Sequence, residues 1–253
     1  MFSVFIIGTG KLAKNLANAL INNGIELKGV YSKTLSHAKE FSALFNIPCV
    51  DNLAIIPSDC DVYILAVSDQ SIEEVSNQIE VNGIVVHCSG MESLSVLNKH
   101  KQTGVFWPIQ TFSNNYYANF SNNPICIESK DANDLRILEF LSDKIGAKTI
   151  FVSEIQRQQL HLSAVLVNNF SNHLFVLAQK FLEENDLPFE ILKPLIHETV
   201  SKLEILSPSL AQTGPALRND IGTVQKHQEL LANYPSLLSI YRQLSESILQ
   251  NKS

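Results

Sequence analysis

The stretch that decides the fold lies near the start of the chain, VFIIGTGKLA at residues 4–13. Its four apolar residues predict a buried β-strand, and GTGKLA after them is a G-x-G-x-x-A motif. The first glycine permits a tight turn, the second lets the backbone approach a pyrophosphate, and the alanine lets the following helix pack closely. The stretch therefore predicts a dinucleotide site, the alternative being a turn that needs glycine for backbone reasons only. The predicted cofactor contacts in this motif are Gly8, Thr9, Gly10, Lys11, Leu12 and Ala13.

Residues 1–152 alternate short apolar runs with helix-periodic segments, which is typical of a parallel sheet wound with helices. We predict strands at residues 4–7, 27–31, 62–66, 84–87, 105–107, 125–127 and 149–152. We predict helices between them at residues 11–22, 36–45, 71–79 and 133–145. This part of the chain is therefore predicted to be an α/β domain with a doubly wound, mostly parallel sheet.

After Val152 the segments become long and helix-periodic, so we predict an α/β domain at residues 1–152 and an all-α domain at residues 153–253. The predicted helices of the second domain span residues 154–184, 189–206 and 235–250, with a polar loop at 212–225. Residues 164–182 are apolar nearly all round, so the first of these helices is predicted to be central and buried on most sides.

Composition excludes several classes of protein. The net charge of −6 and the pI near 5.6 argue against a surface for duplex nucleic acid, because an acidic body repels phosphates. Residues 160–179 contain no Asp, Glu, Lys or Arg, but their asparagines and histidines make them unsuitable as a membrane span. The cysteines are widely spaced with no C-x-x-C pair, and no basic segment precedes the first apolar run. We therefore predict a cytoplasmic protein with neither nucleic acid nor membrane as a partner.

The residues after the second predicted strand indicate which dinucleotide binds. An NAD site places Asp or Glu there to bind the ribose hydroxyls, whereas this chain has Ser32, Lys33 and Thr34. With no carboxylate to repel it, a 2′-phosphate can be held by the hydroxyls and the ammonium group. We therefore predict NADP as the cofactor, with an ordinary polar turn as the alternative.

Polar residues also follow the third and fourth predicted strands, where the carboxyl ends of an open α/β sheet line the ligand crevice. Asp69 is interpreted equally as a helix N-cap or as a ligand contact. His87 is interpreted equally as a strand histidine with satisfied hydrogen bonds or as a site residue. Further cofactor contacts are predicted from Ala66, Val67, Ser68, Ser89 and Gly90.

Two polar groups are predicted to face the substrate. Gln110 and Thr111 follow the fifth predicted strand, and the alternative is that they fix the turn leaving the sheet. At 100° per residue, His161, Asn168 and Asn172 share one stripe of the predicted helix, and a buried polar stripe must be satisfied or face a cleft. The alternatives for the stripe are hydrogen bonding between helices and an interface with a second subunit. Because imidazole groups titrate near neutral pH, His161 is predicted to be a general acid, with Gln110 and Asn168 beside it as catalytic residues and Thr111 and Asn172 as substrate contacts.

The stretch TGPALRND at residues 213–220 is rich in polar groups for a plain connector. The planar donor fork of Arg218 suits a carboxylate or phosphate, so we predict that it binds substrate. The alternative is an Arg218–Asp220 network that stiffens the loop. No metal site is predicted, because the histidines lack the paired spacing of metal ligands.

These motifs together resemble a bacterial family, and the resemblance covers the whole chain. The chain is similar to proteins with an NADP-binding Rossmann domain and a helical domain of undefined function, relatives of F420-dependent NADP oxidoreductases and of pyrroline-5-carboxylate reductase. The most specific motifs are PIQTF at 108–112, NNF at 168–170 and the T-G-P-x-x-R-x-D string at 213–220.

The resemblance implies a helical domain like that of 6-phosphogluconate dehydrogenase, a catalytic cleft between the domains and a homodimer joined through the helical domains. Wider relatives that oxidise β-hydroxyacids carry Lys four residues before the helix Asn, where this chain has Ala164 before Asn168. We therefore expect an NADP-dependent oxidoreductase for a small carbonyl, imine or hydroxyacid, with reduction of an imine or carbonyl more open than hydroxyacid oxidation. The alternatives are a non-catalytic NADP-binding sensor or partner protein, and a helical interaction protein with a vestigial nucleotide turn.

Overall fold

The computed structural model describes residues 2–113, 117–121 and 123–251. Within them the chain separates into two compact units, Met1–Val167 and Asn168–Ser253. The sequence analysis placed the domain boundary at Val152, and that boundary stays a prediction.

In its described residues the first unit is built on an eight-stranded sheet in the order β3-β2-β1-β4-β5-β6-β7-β8. All of the predicted strands are present, and the sequence missed the two-residue β3. The strands are β1 (Ser3–Ile7), β2 (Glu26–Tyr31), β3 (Cys49–Val50), β4 (Val62–Leu65), β5 (Ile84–His87), β6 (Thr103–Pro108), β7 (Pro124–Glu128) and β8 (Lys148–Phe151).

Every neighbouring pair of strands is parallel except β6 and β7. In the antiparallel pair, Trp107 lies opposite Cys126. The strand order reverses at β1, because β2 and β3 lie on one side of it and β4 on the other. The predicted doubly wound, mostly parallel α/β sheet is therefore confirmed, and a ligand crevice is expected at the carboxyl ends of β1 and β4.

The apolar run in β1 is continuous because the strand is covered on both faces, as parallel strands are. Val4 and Ile6 belong to one hydrophobic cluster and Phe5 and Ile7 to another, as the alternation of a strand requires. The helices of this unit are α1 (Lys11–Asn22), α2 (Leu35–Phe45), α3 (Ile72–Gln78), α4 (Ala132–Lys144) and α5 (Glu154–Ala164).

A π-helical segment, Val165–Phe170, follows α5 and interrupts the helix predicted at 154–184. The uniform 100° step that aligned His161 with Asn168 and Asn172 therefore does not hold between them. The remaining helices are α6 (Ser171–Glu183), α7 (Lys193–Ser201), α8 (Pro208–Ala211), α9 (Ile221–Leu230) and α10 (Pro235–Gln250). The all-α character of this part of the chain is confirmed, whereas α9 begins within the predicted loop.

The described part of the second unit, residues 168–251, is mostly exposed, and Leu231 is its one buried residue. The predicted burial of residues 164–182 is therefore wrong for a single chain: Val167 is 75% exposed and Phe170 56%. The apolar pattern therefore identified a surface and not a buried core. Among the described residues, no helix has both the length and the apolar character needed to cross a membrane.

Candidate cofactor and catalytic site

The turn between β1 and α1 brings the backbone close to the end of β4. Gly8 has a φ of +114°, and a Cβ at this position would lie 2.3 Å from the carbonyl oxygen of Ala66. The Gly8 N–H donates a hydrogen bond of 2.8 Å to the carbonyl of Tyr31, which ties the turn to the end of β2. No side chain other than hydrogen fits here, so Gly8 is required by the fold.

Gly10 differs from Gly8 in this respect. Its φ of −70° is available to any residue, and an added Cβ would meet no heavy atom of the described residues within 4 Å. It is the N-cap of α1 and has no side chain to occupy the first N–H groups of that helix. The space above Gly10 is therefore left open for a ligand that approaches the positive end of α1.

That open space is part of a pocket of about 400 Å³. Eight of the predicted cofactor contacts line it: Gly8, Thr9, Gly10, Ser32, Lys33, Ala66, Val67 and Ser68. The predicted contacts Lys11, Leu12, Ala13, Thr34, Ser89 and Gly90 are not among the lining residues. The motif, the end of β2 and the end of β4 thus converge on one cavity, as the strand order requires.

The wall at the end of β2 holds both a cation and acidic groups. The Ser32 hydroxyl is buried and accepts hydrogen bonds of 3.4 Å from the Thr9 hydroxyl and from the backbone N–H of Thr34. Lys33 and Glu74 of α3 are both exposed, and both line the pocket. Burial, with smaller contributions from Asp51 and Glu74, raises the pKa of the Tyr31 hydroxyl on the same wall. A phosphate bound here would be attracted by the ammonium group of Lys33 and repelled by the carboxylate of Glu74.

Sequence analysis missed the contribution of α3 to this pocket. Ser71, Glu74, Val75 and Gln78 all line it, together with Leu53 from a 3-10 turn. The α3 residues are spaced i, i+3, i+4 and i+7, which places them on one helix face. This spacing was visible in the sequence and could have identified them once a helix after β4 was predicted.

The loop after β5 is organised around Ser89. The Ser89 hydroxyl donates to a carboxylate oxygen of Asp69 at 2.8 Å and accepts from the backbone N–H groups of Met91 and Glu92 at 3.1 and 3.0 Å. Asp69 therefore binds the Ser89 hydroxyl. From the sequence it was interpreted as a helix N-cap or a ligand contact, and this role is a third one. The network ties the carboxyl end of β4 to that of β5.

His87 is fully buried at the end of β5. Its Nδ1 accepts the backbone N–H of Ser89 at 3.2 Å, which leaves the proton on Nε2, and Nε2 has no hydrogen-bond partner among the described residues. Burial, aided by the charge of Arg157 and opposed in part by an interaction with the Ser93 backbone, lowers the pKa of His87 to about 3. His87 is therefore a neutral structural support of the loop.

Arg157 of α5, which the sequence analysis did not single out, lies under the same loop with none of its side chain exposed. It donates to the Glu128 carboxylate at 3.0 Å, to the Ser89 carbonyl at 3.0 Å and to the Glu92 carbonyl at 2.8 Å. No local pattern marks such a residue, because its partners come from β7 and from the β5 loop.

His161, one turn further along α5, contacts the backbone at Gly90. A Cβ added to Gly90 would lie 2.4 Å from Cδ2 of the imidazole, so the ring occupies the space that a side chain would need. The His161 ring also lies 5.7 Å, centroid to centroid, from the indole of Trp107 in β6. The imidazole is half-buried at the carboxyl ends of β5 and β6, on the same edge of the sheet as the crevice expected at β1 and β4.

The other predicted substrate-side residues are not brought together by these contacts. Gln110 and Thr111 are exposed, and the Gln110 side chain accepts the N–H of Thr111. Asn168 and Asn172 belong to the second unit and are both exposed. Arg218 is also exposed, while the neighbouring Asp220 caps α9 through the N–H and hydroxyl of Thr223. Their assignment to the substrate stays a prediction.

The cysteines Cys49, Cys60, Cys88 and Cys126 are all free thiols, and three of them are buried. Within residues 2–113, 117–121 and 123–251, no group of three or more His, Cys, Asp or Glu side chains is arranged to hold a metal ion.

The fold and the pocket define a dinucleotide-binding protein of the Rossmann type. Residues 2–104 match the family described as "Oxidoreductase family, NAD-binding Rossmann fold", and residues 123–248 match "Domain of unknown function (DUF2520)". The chain therefore belongs to the family of proteins in which an NAD(P)-binding Rossmann domain precedes a DUF2520 domain. No curated protein matches it significantly.

Solved structures agree with this assignment. A putative NADP oxidoreductase from Bacteroides fragilis is 32% identical, with 99% of this chain and 98% of that chain covered and a TM-score of 0.90. A 1-pyrroline-5-carboxylate reductase from Streptococcus pyogenes is 16% identical (98% of each chain, TM-score 0.62). An imine reductase from Streptomyces aurantiacus is 13% identical (98% and 95%, TM-score 0.65). The last two show that the fold is shared.

Proposed function

We propose that this protein is an NADP-dependent oxidoreductase that transfers hydride between NADP(H) and a small substrate with a carbonyl, imine or hydroxyacid group. The observation that carries the proposal is the open space above Gly10, at the uncapped start of α1, in a pocket of about 400 Å³. A protein that needed Gly10 only for its turn would have no reason to leave that space free. The residues present thus fit a dinucleotide pyrophosphate.

In this proposal the backbone at Gly8–Gly10 binds the pyrophosphate, and Ser32, Lys33 and Thr34 bind the 2′-phosphate. NADPH, when bound, supplies the hydride. His161 donates the proton to the nitrogen or oxygen of the reduced bond, or orients a water that does so, because its imidazole lies at the carboxyl edge of the sheet beside Gly90. Five further residues are proposed to contact the substrate because of the sequence motifs in which they lie: Gln110, Thr111, Asn168, Asn172 and Arg218.

The choice of NADP over NAD is tested by titrating the purified protein with NADPH and NADH in a calorimeter. Lys33→Ala is expected to weaken NADPH binding about tenfold or more and to leave NADH binding nearly unchanged, because only NADPH carries the phosphate that Lys33 would pair with. Lys39→Ala, which removes an exposed lysine of α2 that does not line the pocket, is the matched control. Equal affinity of the wild-type protein for both nucleotides would contradict the NADP assignment.

We propose in addition that the protein is a homodimer joined through residues 168–251. In that range Leu231 alone is buried, and Ile205, Leu210 and Ile221 are 83%, 73% and 69% exposed. A helical unit that buries so little apolar surface cannot offset its loss of conformational entropy unaided, and a second copy presents the same apolar surface in return. Sedimentation equilibrium is expected to give twice the chain mass, and a monomer at micromolar concentration would contradict the proposal.

A further inference from the structure

Arg157 stands out because a buried guanidinium is costly unless its donors are paired. Its side chain is fully buried, and its Nε, Nη1 and Nη2 atoms each donate one hydrogen bond. Only one acceptor, the Glu128 carboxylate, carries charge. The other two acceptors are the backbone carbonyls of Ser89 and Glu92, so two of the three hydrogen bonds hold the loop that follows β5.

The same loop is bound to α5 at two further places. The Gln158 side chain donates to the carbonyl of Met91 at 3.0 Å, and the Ser93 hydroxyl donates to the Glu154 carboxylate at 2.9 Å. The start of α5 is itself fixed by a capping box between Ser153 and Gln156. Residues 89–93 therefore lie along the first turns of α5, with Arg157 as the buried centre of the contact.

Arg157 and His161 are four residues apart on α5 and share one helix face. The two side chains contact adjacent residues of the loop. Arg157 donates to the carbonyl of Ser89, and the His161 ring lies against the backbone of Gly90. Any movement of the Ser89 carbonyl away from Arg157 would move Gly90 relative to the imidazole.

We propose that Arg157 is a positioning residue, which holds the loop Ser89–Ser93 on α5 and so keeps Gly90 directly against the imidazole of His161. The proposal deepens the proposed function and rests on it, since it assigns Arg157 the task of setting where the proton donor sits. A lysine at this position keeps the charge opposite Glu128 but lacks the planar fork that reaches both loop carbonyls. Arg157→Lys is therefore expected to fold with a displaced loop.

The position of His161 can be read without turnover, because the Trp107 ring lies beside it and shifts the resonances of the imidazole. We would label the histidine rings with 13C, record their NMR signals and assign His161 by its loss in His161→Gln. In Arg157→Lys the His161 signal is expected to shift or broaden, while the signals of His37 and His173 stay in place. Arg136→Lys, a change at an exposed arginine of α4, is the matched control and is expected to leave every histidine signal unchanged.

Glu128→Gln removes the carboxylate that orients the guanidinium and is expected to move the His161 signal in the same direction by a smaller amount. An unmoved His161 signal in whichever of the two variants remains folded, judged by circular dichroism, would overturn the proposal. Where turnover is measurable, Arg157→Lys should lower kcat about ten- to a hundredfold with little change in KM for NADPH. The NMR experiment needs neither cofactor nor substrate. Absence of turnover in the wild-type protein would therefore contradict the proposed function, while the NMR signals alone would decide whether Arg157 positions the loop.

Discussion

A side chain at Gly90 and the imidazole of His161 cannot occupy the same space, since a Cβ at Gly90 would lie 2.4 Å from Cδ2 of the ring. The absence of a side chain at the end of β5 is what lets a helix from later in the chain place its histidine there. The relationship was not visible from either sequence motif alone, because the motifs are about 70 residues apart.

Gly90→Ala is expected to displace the His161 ring and to lower the free energy of unfolding by about 1–3 kcal/mol, the usual cost of overpacking. Any NADPH-dependent turnover should fall by a larger factor than the affinity for NADPH, because Gly90 does not line the cofactor pocket. Steady-state kinetics, calorimetry and urea unfolding measure the three quantities. Gly222→Ala is the control, since among the described residues its Cβ would meet only the Asp220 carboxylate, at an ordinary 3.8 Å. Full activity in Gly90→Ala would contradict the role given to His161.

Gly10→Ala is expected to weaken NADPH binding at least tenfold while changing the free energy of unfolding by no more than about 1 kcal/mol. The added methyl group meets no described protein atom but enters the pocket where the pyrophosphate is proposed to lie. Gly8→Ala is the contrasting variant, because its Cβ collides with the Ala66 carbonyl and should destabilise the fold itself. Calorimetric titration and urea unfolding separate the two effects. Undiminished NADPH binding by a folded Gly10→Ala protein would place the cofactor elsewhere.

Glu74→Gln should strengthen binding of NADPH more than binding of NADH. Glu74 lines the same pocket as Lys33, and its exposed carboxylate repels an added phosphate in that pocket. A several-fold gain that shrinks as salt is added is expected, because salt screens the interaction. Glu73→Gln, the adjacent carboxylate of α3 that does not line the pocket, is the control. An identical change for both nucleotides would mean that the 2′-phosphate binds away from Glu74.

Acid should destabilise the fold through His87. Its pKa is lowered to about 3 in the folded protein, whereas an unfolded histidine titrates near 6.5. Between these values the unfolded chain binds a proton that the folded chain does not, so stability falls as pH falls, by about 1.4 kcal/mol per pH unit from this group.

Urea unfolding between pH 7 and pH 4.5 measures this slope. His87→Asn keeps an acceptor for the Ser89 N–H but does not titrate, so its stability should depend less steeply on pH. His37→Asn, at an exposed histidine of α2, should behave as the wild type does. Parallel pH curves for His87→Asn and the wild type would show that His87 is not the group responsible.

The α/β unit was largely predictable because its signals are local. Continuous apolar runs marked strands covered on both faces, and the glycine motif marked the first turn, so Gly8 and Gly10 were identified in their correct setting. The direction of β7 was not predictable, because antiparallel and parallel pairing of β6 and β7 require the same buried residues. The two-residue β3 was missed because its pairing with β2 stabilises it, and its own sequence does not.

The site was predicted less completely for a different physical reason. Arg157 is buried because Glu128 and two loop carbonyls satisfy it, and burial of that kind depends on partners distant in the chain. The stripe of His161, Asn168 and Asn172 assumed a uniform α-helix, which the π-helical turns at Val165–Phe170 interrupt. The apolar face of the same stretch was recognised correctly as apolar, but apolar character does not say whether the chain itself or a second copy covers it.

The central claim is that this protein transfers hydride from NADPH to a small carbon–nitrogen or carbon–oxygen double bond with His161 beside the reaction. It is tested most directly by incubating the protein with NADPH carrying deuterium at the transferable position and a panel of cyclic imines and 2-oxo acids, and analysing the products by mass spectrometry. The account predicts deuterium in one reduced product, formed at least a hundredfold more slowly by His161→Gln. Tight NADPH binding with no deuterated product from any member of the panel, or an undiminished rate in His161→Gln, would contradict it.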